Sequence, residues 1–273
     1  MKLSIITINY NDAKGLKKTL DSVAKQTYDE FEYIIVDGAS TDESVDFIRE
    51  FENSLKSSLS PFASRLKWIS EKDTGIYNAM NKGINMANGE YLLFLNSGDY
   101  LIDSEVLEKV FSYSCEADIL CARCNVSDNG KVVWTSTPPE NVTFGTLYLT
   151  GLAHQSTFIR KSLFEKYGIY DESFRYNADI EFWYRTIIEH SASTQKIDVI
   201  TTDYNLGGIS STENQTEKYK SEKERILAPY KSFCPDYDNV KIEQAKYASI
   251  AWVLNRPILM KMLNFYRRIL KHI

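Results

Sequence analysis

The chain has 273 residues, 43% hydrophobic, 13% aromatic and 25% charged, which excludes disordered and low-complexity architectures and suffices for one large domain plus an appendage. Its 37 acidic residues outnumber 32 basic ones for a net charge of −5, so the chain as a whole does not attract nucleic acid or other polyanions. No apolar run approaches the ~18 residues of a membrane span, and Met1-Lys-Leu-Ser-Ile-Ile enters a strand pattern without signal-peptide features, so the expected location is the cytoplasm.

Leu3 to Tyr10 reads as a β-branched strand, after which Asp12 can cap a helix with Leu16, Leu20, Val23 and Ala24 on its apolar face. Phe31 to Val36 is a short apolar run ended by Asp37-Gly38, and Ser40 or Thr41 then caps a helix bearing Val45, Ile48 and Phe51. Ser54 to Ser64 is serine-rich and reads as a loop, followed by a third strand from Leu66 to Ile69. Ile76, Ala79, Met80, Gly83, Ile84 and Ala87 recur at helical spacing, and Gly89 is expected to stop that helix. Tyr91 to Leu95 is continuously apolar, the pattern of a strand covered on both faces. Ile119 to Ala122, Lys131 to Trp134 and Asp198 to Tyr204 read as later strands. A helix near Ile180 carries Trp183, Tyr184, Ile187 and Ile188 on one face, and from roughly Ser211 the chain is charged and helical.

Cys115, Cys121, Cys124 and Cys234 are too few to staple a chain this size. Cys121-Ala-Arg-Cys124 has metal-ligand spacing but no second ligand pair, so reduced thiols on a buried strand are expected.

Alternating strands and helices imply a mostly parallel sheet, whose ligands bind beyond the carboxyl ends of the strands. The residues there are Asn9-Tyr10-Asn11, Asp37-Gly38-Ala39-Ser40, Glu71-Lys72-Asp73 and Asn96-Ser97-Gly98-Asp99. No GxGxxG follows the first strand and no GxxxxGK[ST] occurs, so the dinucleotide and P-loop readings fall. Phosphate held without a glycine cradle calls for a divalent cation on acidic or amide oxygens.

Ser4-Ile-Ile-Thr-Ile-Asn-Tyr-Asn11, Ile35-Val-Asp-Gly-Ala-Ser-Thr-Asp42, Asp73-Thr-Gly-Ile-Tyr-Asn-Ala-Met-Asn-Lys-Gly83 and Gly89-Glu-Tyr-Leu-Leu-Phe-Leu-Asn-Ser-Gly-Asp99 follow one another in the sequence. In that order they resemble successive motifs of family 2 glycosyltransferases, over roughly residues 2 to 210, and bacterial enzymes of colanic-acid-like surface polysaccharides in particular. The resemblance implies the GT-A fold: α/β, a mostly parallel mixed sheet flanked by helices. It implies a catalytic domain over 1–212 (nucleotide-binding half 1–100, acceptor half 101–212) and a helical extension over 213–273. It further implies a nucleotide-diphosphate sugar donor, a glycan or lipid-linked acceptor, and transfer with inversion.

Carried over residue by residue, the resemblance puts Ile8, Asn9 and Tyr10 in the nucleoside pocket, with Asp37 and Asp73 accepting hydrogen bonds from base or ribose. Asn96 would touch ribose or phosphate and Asp99 would ligate Mg²⁺ or Mn²⁺, while Gly98 stands where relatives carry their metal carboxylate. His154, Gln155 and Trp183 fall on the acceptor or diphosphate side. Asp179 takes the place of the catalytic base, with Ala178 where the family has a helper Glu, and Glu181 as the back-up. Gly207-Gly208-Ile-Ser-Ser211 is similar to a loop that closes over the donor.

Two other readings stand beside this one. A sugar-nucleotide nucleotidyltransferase would need a basic, glycine-rich phosphate loop, which Asn9 to Gly15 does not provide. A non-catalytic nucleotide-sugar-binding module would bind a donor without releasing its nucleotide. After Glu243 every charged residue is basic, and residues 256–273 can form a basic amphipathic helix. Such a helix suits peripheral contact at the inner face of a membrane, or packing on the protein's own core or a second subunit; the oligomeric state stays open.

Overall fold

The computed structural model describes residues 1–57, 61–128, 130–206 and 217–230. The chain divides into two compact units, 1–226 and 227–273, and the sheet with its candidate site belongs to the first. The Gly207–Ser211 loop, Cys234 and the basic tail lie outside the described residues.

The sheet is built outward from strands that are buried on both faces. β1 (Leu3–Asn9), β2 (Phe31–Asp37), β3 (Leu66–Ser70) and β4 (Tyr91–Phe94) run parallel in the order β3-β2-β1-β4. Beyond β4, β8 (Thr157–Arg160) lies antiparallel to it and to β6 (Ile119–Asp128). β9 (Thr194–Asn205) runs parallel to β6, the short β5 (Tyr100–Leu101) pairs antiparallel with β9, and β7 (Lys131–Ser136) forms a hairpin on β6. The result is a mixed α/β sheet whose first half alone is wholly parallel.

The register aligns the strand ends that matter. Asn9 pairs with Asp37, and Asp37 with Ser70, so the three turns leaving β1, β2 and β3 open at one level. At the opposite end buried Glu32 accepts from Ser4 Oγ and Lys67 Nζ, each at 2.7 Å, and from the Asn88 N–H. Burial raises this carboxyl, but these donors outweigh it and hold the group below the ordinary range.

Helix α1 (Ala13–Ala24) starts where Asp12 Oδ1 accepts from Gly15 N at 3.0 Å, and it buries Leu16, Leu20 and Val23. Helix α2 (Ser44–Ser57) departs from expectation at both ends. Its cap is Asp42, accepting from Ser44 N, because Ser40 is taken by Asp37. It also runs on into the serine-rich stretch, where buried Leu55 anchors the last turn. Helix α3 (Ile76–Met86) ends before Gly89. That glycine is required instead by close approach: an added Cβ would lie 2.4 Å from Ser4 N. Helices α4 (Val106–Phe111), α5 (Phe144–Leu149) and α6 (Lys161–Tyr167) are short; α7 (Ala178–Trp183) continues as a π-helix over Tyr184–Glu189.

Helix α8 (Glu217–Leu227) packs into the first unit through Glu222 and Ile226, both buried. The first compact unit thus runs to Ile226 and takes in most of this helix.

Candidate active site

The strand-end turns form a framework before they form a pocket. Asp37 is 0% exposed, and its two oxygens accept from Asn9 Nδ2 (2.8 Å), Ser40 Oγ (2.5 Å), Ser40 N (2.9 Å) and Ser70 Oγ (2.7 Å). Asn9, also buried, accepts from Ser97 Oγ at 2.8 Å, and Asn11 Oδ1 accepts from Thr41 N at 2.8 Å. Asn9 and Asp37 therefore lock the turns together, the same two residues expected beside a nucleoside. Each bond to the carboxylate is worth about 1.5–3 kcal/mol, so this frame is stiff.

On it stands Tyr10, 67% exposed, with Gly38 beside it. A Cβ added at Gly38 would lie 2.5 Å from Asp73 Oδ2 and 3.2 Å from Tyr10 Cδ2, so ring and carboxylate flank one bare stretch of backbone. Asp73 is also fixed locally, since its Oδ1 accepts from Gly75 N at 3.0 Å ahead of α3. Ile8 is partly buried at the end of β1.

The turn after β4 carries Asn96 and Asp99. Asp99 is 6% exposed, and its carboxyl is pushed up to about 7, chiefly by burial and with a contribution from the charge of Asp203. Gly98, at φ +94°, leaves open space next to it, with Asp12 Oδ2 the nearest atom to an added Cβ at 3.7 Å. Among the described residues no three His, Cys, Asp or Glu side chains gather as a metal cage. The charges of His154 and Lys18 act against the rise at Asp99, and a single acid beside a bare glycine would fit only single-point attachment of a cation whose other ligands come from a diphosphate and water.

The catalytic candidates converge on a cavity of about 340 Å³. Asn96, His154, Gln155 and Asp179 line it, together with Trp134, Tyr77 and Arg175. Asp179 Oδ1 accepts from Tyr77 Oη at 3.0 Å and from Ile180 N at 2.9 Å, and Oδ2 lies 3.3 Å from His154 Nδ1. Burial lowers the His154 pKa, but the hydrogen bond and charge of Asp179, helped by Asp99, raise it above its ordinary 6.5. His154 Nε2 reaches Asn96 Nδ2 at 3.4 Å, while Asn96 Oδ1 is buried and unpartnered. Turning the amide over lets Oδ1 accept from Nε2–H, so an imidazolium would donate from both nitrogens.

Ile8, Asn9, Tyr10, Asp37, Asp73 and Asp99 are not part of this cavity's lining, and neither are two candidates on α7. Trp183 is 1% exposed and packs at 5.8 Å against Phe182 in the core, because the apolar face of its helix turns inward. Glu181 points away from the cavity and pairs with Arg185 at 2.8 Å, which removes the back-up base. Cys121 and Cys124 are buried on β6, and burial pushes their thiols up to about 12 and about 11, as inert structural thiols require.

Sequence reasoning missed Tyr77 and Glu222. Tyr77 is the second residue of α3, and its hydroxyl bridges Asp179 and the Tyr176 carbonyl (2.7 Å), 102 and 99 residues away. Its place inside the Asp73–Gly83 segment was the available signal. Glu222 lies where charge alone reads as a solvated helix face, and nothing local marks it.

Known proteins agree with this architecture. The crystal structure of S. aureus TarS 1–349 in complex with UDP-GlcNAc superposes with a TM-score of 0.65 at 23% identity, covering 84% of this chain and 66% of that one. The mannosyltransferase PcManGT from Pyrobaculum calidifontis, in complex with GDP-Man and Mn²⁺, gives a TM-score of 0.62 at 12% identity, covering 98% of this chain and 80% of that one. At such identities the likeness shows the fold, which is GT-A. In sequence, a PGL/p-HBAD biosynthesis glycosyltransferase of Mycobacterium bovis is 33% identical over 220 residues, 77% of this chain and 79% of that protein. The family model for glycosyl transferase family 2 matches residues 4–177, and with the strand-end turns and Asp179 cavity in place, the chain belongs to glycosyl transferase family 2.

Proposed function

We propose that this glycosyltransferase moves a sugar, with inversion, from a nucleotide-diphosphate donor to a hydroxyl of a glycan or lipid-linked acceptor in surface polysaccharide synthesis. The carrying observation is that Asn96, His154 and Asp179 line one cavity and are linked through the two ring nitrogens of His154. Asp179 takes the acceptor proton as that oxygen attacks the anomeric carbon, a role worth about 10²–10⁴-fold. Tyr77 and His154 orient the carboxylate, while Tyr10 and Asp73 hold the nucleoside over Gly38. Asn96 and Gln155 meet the sugar or diphosphate. Asp99 would hold Mg²⁺ or Mn²⁺, which when bound supplies positive charge to the departing diphosphate. The protein works in the cytoplasm, and residues 256–273 bring it to the inner membrane face.

The test is release of nucleotide from a panel of UDP- and GDP-sugars with Mg²⁺ or Mn²⁺. One donor should be hydrolysed slowly, and faster with its acceptor. An Asp179→Asn variant that retained full transfer would sink the base assignment. Binding without release from any donor would favour the non-catalytic module.

A further inference from the structure

Glu222 is a buried acid that the proposed transfer does not use. It is 5% exposed, on α8, and it reaches back 47 residues. Its Oε1 accepts from Arg175 N at 2.8 Å, and its Oε2 from Tyr176 N at 3.0 Å and Asn177 Nδ2 at 3.3 Å. All three donors belong to the segment entering α7, two residues before Asp179. Other α8 contacts fix the same segment: Asn177 Nδ2 donates to Tyr219 O at 3.2 Å, Arg225 Nη2 to Ser173 Oγ at 2.8 Å, and the Arg225 guanidinium lies 3.6 Å from the Phe174 ring centroid.

We propose that Glu222 is the positioning residue for Asp179: its carboxylate gathers the N–H groups of residues 175–177 and so sets where α7 begins and where Asp179 meets His154. This rests on the reading of Asp179 as proton acceptor. The geometry explains why Ala178 can stand next to the base without a carboxylate of its own, since the anion arrives from α8. It also explains the choice of Glu. Three donors converge on two oxygens, and a glutamine would turn an NH₂ group against backbone N–H. A displacement of Asp179 of even ~1 Å is the scale that costs about 10²-fold in rate.

The experiment uses the full chain and two readouts. The first is the ¹³C–¹H NMR titration of His154 in wild type, Glu222→Gln, Asp179→Asn and the exposed-site control Glu217→Gln. Because Asp179 holds the His154 pKa up, Glu222→Gln should lower it toward the Asp179→Asn value, while Glu217→Gln leaves it unchanged. The second is donor turnover, expected to lose roughly 10–100-fold in kcat with KM for the donor within about twofold. A folded Glu222→Gln protein whose His154 titrates as in wild type overturns the proposal. If Glu222→Gln does not fold, Glu222→Asp, which keeps the charge on a shorter stem, is read the same way. Failure to turn over any donor would count against the proposed function, and the titration would still decide the role of Glu222.

Discussion

At Gly38 one methyl group separates binding from stability. The Cβ of Gly38→Ala would meet Asp73 Oδ2 at 2.5 Å, and that atom is the far end of a side chain that can swing aside. The fold should therefore survive with a thermal midpoint near wild type, while nucleotide affinity falls about tenfold, an effect of roughly 1.4 kcal/mol that titration calorimetry with UDP and GDP would read. Asp37→Asn should act first on stability. It puts an amide against donors already aimed at a carboxylate, so it should lower stability by about 1–3 kcal/mol in urea unfolding. The contrast shows what the sequence could and could not convey about single residues. That His154 and Asp179 share one cavity wall was within reach of motif reading, and that Tyr10 and Asp73 flank Gly38 was within reach of strand-end position. That Asp37 and Asn9 face each other was not, because saturation of a carboxylate depends on Ser40, Ser70 and the strand register.

Elements were legible where burial follows period. β1, β2, β4, α1 and α3 appear where β-branched or continuous apolar runs or helical spacing put them, since the strands are buried nearly throughout and each helix buries one apolar face. The errors sit at element ends. Ser40 reads as a cap by type but is consumed by Asp37, and the serine-rich stretch reads as a loop although Leu55 pins it as helix. Gly89 carries a packing demand that looks like a stop signal. Its Cβ would meet Ser4 N at 2.4 Å and Leu3 C at 2.5 Å, both backbone atoms of β1 that cannot swing away. Gly89→Ala should therefore cost about 1–3 kcal/mol, read as a lower urea midpoint at unchanged slope.

At the scale of the molecule, the charge pair in the cavity ties pH to stability. Since the folded pKa of His154 lies above its ordinary 6.5, its contribution is complete below that value and is lost as pH rises through the folded pKa. The thermal-midpoint gap between wild type and His154→Gln should thus be wider at about pH 6 than at about pH 8.5. The buried thiols give a probe of global opening. Cys121 and Cys124 should resist iodoacetamide in native protein at about pH 8 and label only as fast as the sheet unfolds, read by peptide mass spectrometry. Long-range assembly of the site was the least legible property, because no local pattern joins Tyr77 to Asp179 or Glu222 to Arg175. That distance along the chain has a consequence during synthesis. The β1–β4 half can settle while translation continues, whereas the segment leading to Asp179 gains its Glu222 contacts only once residue 222 clears the ribosome.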